Sequence, residues 1–474
     1  MIVIFVHGWS VTDTNTYGLL PEAIAKQASN YGLDVDIKHV WLGRYISFDD
    51  TVNMTDIIRA FDQALHDLIP AGDDIAAFSC ITHSTGGPVV REWLDRYYGS
   101  DNLDQSPLRH LIMLAPANHG SPLAALGKQR VGRIKAWFDG IEPGQLILDW
   151  LSLGSQQQID LSRAYLHYKP VESGFYPFVL TGQSIDKKFY DFVNSYLAES
   201  GSDGVVRVAG ANMNFSMVRF VESGAADTVA HMSDELNVSL LKLVEGVMRP
   251  ETVPLGVIPN ASHSGKQKGI MRSVVSATST KPQLAEILKC LQVDSEADYQ
   301  ICQQALATLT QQTQQRSHRY MNLVFIVNDD QGEPVTDYDL VLLGGQDRDP
   351  NKLSKGFFVD RQKNAASPNH LVYYIDYDVI SKSQLTGFRV IARPNQGFTY
   401  YHAVEYRVET ADIDAFLKPN ETVYLEVVLH RRVDQAVFLF DEASAPQMHK
   451  EGKLFKTETR HDFKGQKPMN KPVK

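Results

Sequence analysis

The 474-residue chain has only three cysteines, too few for a disulfide framework. No stretch of 18 or more apolar residues occurs, so no membrane-spanning helix is expected. Positive charge is not in excess. Lys and Arg number 46 against 56 Asp and Glu, a net charge of -10, which gives no support to a nucleic-acid-binding role. The opening Met1-Ile2-Val3-Ile4-Phe5-Val6 lacks a basic leader segment, and its apolar run is too short for a signal peptide. Synthesis in the cytoplasm is expected, with export by a route that leaves no cleaved leader still open. There is no H-E-x-x-H and no close-spaced Cys/His set, so no metal is expected. The phosphate cradles G-x-x-x-x-G-K-[ST] and G-x-G-x-x-G are also missing, and no cofactor is expected.

Hydrophobic residues make up 43% of the chain and charged ones 22%, which suffices for a sizeable core. The length suits two domains. Over the first 120 residues strand-like and helix-like runs alternate. Ile2 to Val6, Val35 to Trp41, Ile75 to Ile81 and Leu111 to Leu114 read as strands. Leu20 to Ala28, Asn53 to Leu68 and Pro88 to Tyr98 read as helices. That alternation predicts a mostly parallel sheet covered by helices on both faces. The rhythm breaks from Ser121 to Pro170, where Val131 to Phe138 and Leu146 to Leu153 form amphipathic pieces with Trp137, Phe138, Trp150 and Leu151 as candidate exposed bulk. Such an insertion suits a lid that opens at a lipid surface, or equally a fixed cap. Phe178 to Thr181 and Val253 to Ile258 resume the strands, with Val205 to Val208 as a further candidate.

A polar helix pair is expected over 281–315. Beyond it, Met321 to Val327, Tyr338 to Leu343, Leu371 to Ile375, Gly387 to Ala392, Ala403 to Val408, Thr422 to Leu429 and Ala436 to Phe440 are strand candidates separated by turn residues, which predicts an all-β sandwich-like domain. The expected division is 1–316 for the helix-covered sheet with its insertion at about 121–170, 317–446 for the sandwich, and 447–474 for a basic polar tail. Lys450 to Lys474 contains eight Lys or Arg. His430, Arg431 and Arg432 form a small basic cluster able to meet an anionic head group. A scaffold or protein-docking role for the sandwich is the alternative.

The chemistry centres on Thr82-His83-Ser84-Thr85-Gly86-Gly87, between a predicted strand and a predicted helix. A serine on such a bend presents its hydroxyl at the sheet edge, and small residues two before and two after it avoid clashes. Gly86 meets the second requirement. Thr82 stands where the usual G-x-S-x-G pattern has glycine. The helix start brings the Thr85 amide near a developing oxyanion. His83 is expected to point away and to pack rather than act as base. Val6-His7-Gly8-Trp9 ends the first strand, and the Trp9 amide is the expected second oxyanion donor.

Together these segments resemble the α/β-hydrolase superfamily, and within it bacterial lipases and lipase-like phospholipases, over roughly residues 1 to 270. Leu114-Ala115-Pro116-Ala117-Asn118-His119-Gly120-Ser121-Pro122 resembles the strand end that follows the nucleophile helix there. Some relatives are toxin effectors exported without a cleaved leader. The resemblance implies a triad in the order Ser, Asp, His and an ester hydrolase acting on long acyl chains, of lipase or phospholipase A type. Asp203 in Gly201-Ser202-Asp203-Gly204 resembles the acid loop, ahead of Asp186, Asp191 and Asp227. His263, after the Val253 to Ile258 strand, resembles the histidine loop, and His231 is the alternative base. His119 is read as a turn residue rather than as part of the entrance. The implied partner is a lipid or membrane-surface substrate. Competing readings are a thioesterase, amidase or small-ester hydrolase with the same triad, and a non-catalytic binding module on a hydrolase fold.

Overall fold

The computed structural model describes residues 1–6, 17–47, 49–124, 144–185, 199–223, 238–383, 385–393, 399–408 and 415–433. The first sheet is built from β1 (Ile2–Val6), β2 (Asp36–Val40), β3 (Phe78–His83), β4 (Leu108–Leu114), β5 (Tyr176–Thr181) and β8 (Leu255–Val257). Their order is β8-β5-β4-β3-β1-β2, and every pairing is parallel. Central strands such as Ile-Val-Ile-Phe-Val are apolar on both faces because helices cover both. After β2 the chain returns to the far side of β1, so the order reverses between β1 and β3. A crevice opens outside the strand ends at such a point.

On one face lie α2 (Met54–Leu68), α3 (Gly86–Tyr97) and α4 (Gln145–Leu151). The start of α2 is fixed by Asn53. Its side chain accepts from the Asp56 amide while Asp56 accepts from the Asn53 amide, a reciprocal cap. On the other face lie α1 (Leu20–Gln27), α6 (Pro282–Leu291) and α7 (Glu296–Gln314). The helix pair expected at 281–315 is thus part of the core. Thr310 on α7 also completes the exposed edge of β8: its hydroxyl donates to Leu255 C=O at 2.8 Å and accepts from the Val257 amide at 2.9 Å.

The insertion departs from expectation in its described part. Trp150 and Leu151 on α4 are buried in the main core rather than exposed. α4 has an apolar side that the face above α2 and α3 needs in order to close, so this helix is a fixed element. Val131 to Phe138 lies outside the described residues. Val205 to Val208 is not a strand; the chain turns there into a short helix, Val208–Ala211.

The second sheet has nine strands: β6 (Phe215–Glu222), β7 (Val238–Met248), β9 (Tyr320–Asp329), β10 (Tyr338–Gly344), β11 (Phe358–Lys363), β12 (His370–Asp376), β13 (Leu385–Ala392), β14 (Ala403–Arg407) and β15 (Thr422–Leu429). Their order is β10-β13-β14-β7-β6-β15-β9-β12-β11. β7 is shared. Its first residues pair with β14 and the rest with β6. The sheet therefore folds over at β7, and Phe388 of β13 packs against both Phe220 of β6 and Phe325 of β9, each at 5.1 Å. This gives the sandwich-like layer that was expected, with β6 and β7 recruited from before the helix pair. Ala436 to Phe440 lies outside the described residues. The outer face of one leaf, with Phe215, Val324, Ile326, Val372 and Tyr424, packs on Ile159 of α5 (Gln156–Tyr165). That apolar seam fixes the second sheet to the first domain.

Candidate active site

β3 runs directly into a bend at Ser84, whose φ is 53°, a left-handed conformation that side-chain-bearing residues seldom adopt. The Ser84 amide donates to Leu114 C=O at the end of β4, at 3.0 Å, which anchors the bend to the sheet. Crowding explains the glycines that follow. A Cβ at Gly86 would sit 3.2 Å from Val6 O and 3.3 Å from the Thr82 Cβ, and one at Gly87 would sit 2.9 Å from the Pro116 Cβ. Gly86 therefore leaves the space that Thr82 occupies, and this is how the altered first position is accommodated. The cost falls on the Thr82 hydroxyl, which is buried with no hydrogen-bond partner among the described residues.

His263 arrives on the loop after β8. Its Nε2 lies 3.1 Å from Ser84 Oγ and its Nδ1 lies 2.9 Å from Asp203 Oδ2. The loop is held by Ser262, whose amide donates to Lys268 C=O and whose carbonyl accepts from the Ile270 amide. It also needs Gly182 beneath it, because a Cβ there would meet Ala261 O at 2.1 Å. His83 does not face the serine. Its Nε2 lies 3.1 Å from His263 O, and the two rings are 4.6 Å apart. With Nε2 protonated, His83 donates to that carbonyl and links the strand that ends at Ser84 to the loop that carries His263.

Asp203 is fully buried, and its Oδ1 accepts from the amides of Val205 and Val206 at 2.9 and 2.8 Å. These bonds leave Oδ2 aimed at the imidazole. Gly204 takes φ 98°, as the turn requires. The turn is clamped from the second sheet by a residue the sequence reading passed over. Arg207 is buried, pairs in two-pronged fashion with Glu199 at 2.8 and 2.9 Å, bonds Asp360 on β11, and lies 4.2 Å over the Tyr374 ring. Tyr374 in turn donates to Ser200 C=O at 2.9 Å. The signal was an arginine inside the apolar run Val205-Val206-Arg207-Val208, since a charge in such a run is rarely buried without partners.

Ser84, His263 and Asp203 thus come together from three separate loops. Thr85 sits at the start of α3 beside the serine. Trp9, Asp186, Asp191, Asp227 and His231 lie outside the described residues. His119 is turned away into the seam with the second sheet, where Nδ1 lies 2.7 Å from the Tyr424 hydroxyl. Burial, with the Arg91 charge nearby, pushes its pKa down to about 3, so it is a neutral packing group. The basic cluster is largely spent: Arg432 pairs with Glu222 at 2.6 Å, and His430 bonds Asp330. Among the described residues no His, Cys, Asp and Glu group is arranged to hold a metal, and no helix is long and apolar enough to cross a membrane.

This arrangement is suited to acyl transfer. A hydroxyl in contact with an imidazole, itself oriented by a buried carboxylate, gives a nucleophile that loses its proton as it attacks. Among solved structures, the chain is similar to phospholipase PlaB from Legionella pneumophila at 43% identity and a TM-score of 0.82, over 93% of this chain and 96% of that one. The same enzyme in complex with thio-NAD matches to the same extent. A metagenomic carboxyl esterase, MGS0156, is 16% identical over 62% of this chain and 75% of that one, at a TM-score of 0.33. No protein-family model matches the sequence, and no curated protein does.

Proposed function

The chain belongs to the family of the Legionella pneumophila phospholipase PlaB and is a serine ester hydrolase; from that membership we propose that Ser84, His263 and Asp203 are its catalytic triad and long-chain acyl esters of phospholipids its substrates. The observation that carries this reading is the contact chain from Ser84 Oγ through both ring nitrogens of His263 to Asp203.

In the first half-reaction His263 Nε2 takes the Ser84 proton as Oγ attacks the ester carbonyl. Asp203 keeps Nδ1 protonated and offsets the imidazolium charge. The amides of Thr85 and Trp9 hold the oxyanion. Collapse expels the lyso-lipid alkoxide, which takes the proton from His263. Water then attacks the acyl-Ser84 ester by the same route and releases the fatty acid. Ester and water balance both halves.

The name of the relative supports a phospholipid as substrate. The test is turnover of vesicle phosphatidylcholine and phosphatidylglycerol against soluble acetyl esters and acyl thioesters. Release of long-chain fatty acid that rises at the lipid surface is expected. Preference for acetyl esters or thioesters would favour the small-ester or thioesterase reading.

A further inference from the structure

Two of the three thiols face one another. Cys290 lies near the end of α6 and Cys302 in the second turn of α7, and their sulfurs stand 3.8 Å apart. The contact runs between two helices joined by the four-residue link Gln292 to Ser295. A bond here ties two elements together and is not a staple within one helix. Both thiols belong to the apolar layer under α1, α6 and α7; Cys290 is fully buried and Cys302 is 7% exposed. Cys80, on β3, lies in the core of the opposite face.

We propose that Cys290 and Cys302 form a redox modification site, a dithiol that hydrogen peroxide closes to a disulfide across the helix pair. The covalent S–S length of about 2.05 Å asks the sulfurs to approach by roughly 2 Å, which side-chain rotation and a small helix adjustment supply. Cys302 is the more exposed thiol and reacts first. Its thiolate attacks one peroxide oxygen, the O–O bond breaks, and Cys302 sulfenic acid and water form. The Cys290 thiolate then attacks the Cys302 sulfur and expels hydroxide, which leaves as a second water once protonated. In sum two thiols and one peroxide give one disulfide and two waters, the sulfurs being oxidised and the peroxide reduced. Burial pushes the Cys290 thiol well up, so the second step is slow at neutral pH and faster in alkaline solution.

The consequence follows from what α7 supports. Thr310 on α7 completes the edge of β8, and β8 leads into the loop that carries His263. Closing the disulfide fixes α6 to α7 and stiffens this support without touching Ser84, His263 or Asp203.

The test exposes the folded full-length chain to hydrogen peroxide, blocks remaining thiols under denaturing conditions, and maps peptides without reduction. The expected result is a Cys290–Cys302 cross-linked peptide, loss of two hydrogens in intact mass, reversal by dithiothreitol, and a melting temperature several degrees higher in the oxidised protein. Cys302→Ser is expected to abolish the link and the shift. Two blocked free thiols at 290 and 302, conversion only to sulfinic or sulfonic acid, or a link through Cys80 would each overturn the proposal. The peptide map of the unaltered chain decides the matter even if the variant folds poorly.

Discussion

Asp203 and His263 meet twice: the carboxylate lies 2.9 Å from Nδ1 of the imidazole, and the Asp203 carbonyl accepts from the His263 backbone amide at 3.0 Å. One contact orients the ring and the other fixes the loop that carries it. Placement of the imidazole is therefore built into two turns that hold each other.

The side-chain half of this pairing is open to mutation. Asp203→Asn keeps an oxygen for the Val205 and Val206 amides but removes the negative charge behind the imidazole. We expect kcat on a long-chain ester to fall by about 10⁴-fold with little change in melting temperature. Asp203→Ala also orphans two amides and is expected to cost about 2–4 kcal/mol of stability. Steady-state kinetics beside thermal melts separates the two effects.

Ser84 holds a left-handed backbone conformation. Ser84→Gly is expected to abolish turnover and to leave stability equal to or up to about 1 kcal/mol above that of the unaltered chain. Ser84→Ala removes turnover without that gain. A clear loss of stability in Ser84→Gly, read by urea unfolding, would show that the bend is not strained.

The clamp on the acid turn gives the second sheet a task in the first domain. Arg207→Ala leaves Glu199 and Asp360 without their shared cation and is expected to cost about 3–5 kcal/mol. In the fraction that folds, kcat should fall by about 10²-fold with KM nearly unchanged, because the Asp203 turn that orients the His263 ring is displaced. Unaltered kcat in folded Arg207→Ala would remove the link between the sheet and catalysis.

Buried histidines make the protein sensitive to acid. His119 has its pKa pushed down to about 3, and burial also lowers those of His110 and His370. On unfolding each takes up a proton near its ordinary pKa, so the stability they confer is whole above that value and is lost as pH falls towards the folded one. At pH 5 His119 alone accounts for about 2 kcal/mol. Glu92, pushed up to about 7 by burial, acts in the opposite sense. The comparison is therefore the melting temperature of wild type against His119→Gln between pH 7 and pH 5, with a steeper fall expected in wild type.

Much of this molecule was legible from short patterns. The run Ile2 to Val6, the helix begun by Asn53 and the bend at Ser84 are local, because period, cap and turn chemistry act within a few residues. The contacts of Asp203 with His263 and of His263 with Ser84 were reached through resemblance, helped for His263 by its place on a strand-end loop, since spacing alone does not bring together residues 60 and more apart. Arg207, Thr310 and the burial of Trp150 were missed for one physical reason: each is decided by a partner distant in the chain, Asp360, the edge of β8 and the main core. β6 and β7 pair with one another but were missed because the strands that seat them in the sheet, β15 and β14, lie 207 and 165 residues later.

Whether His263 activates Ser84 is decided by labelling with a fluorophosphonate probe, mapped by peptide mass, in wild type, His263→Ala and His231→Ala. A single adduct on Ser84 is expected in wild type and His231→Ala, and its loss in His263→Ala. Labelling elsewhere, or loss in His231→Ala with retention in His263→Ala, would contradict it.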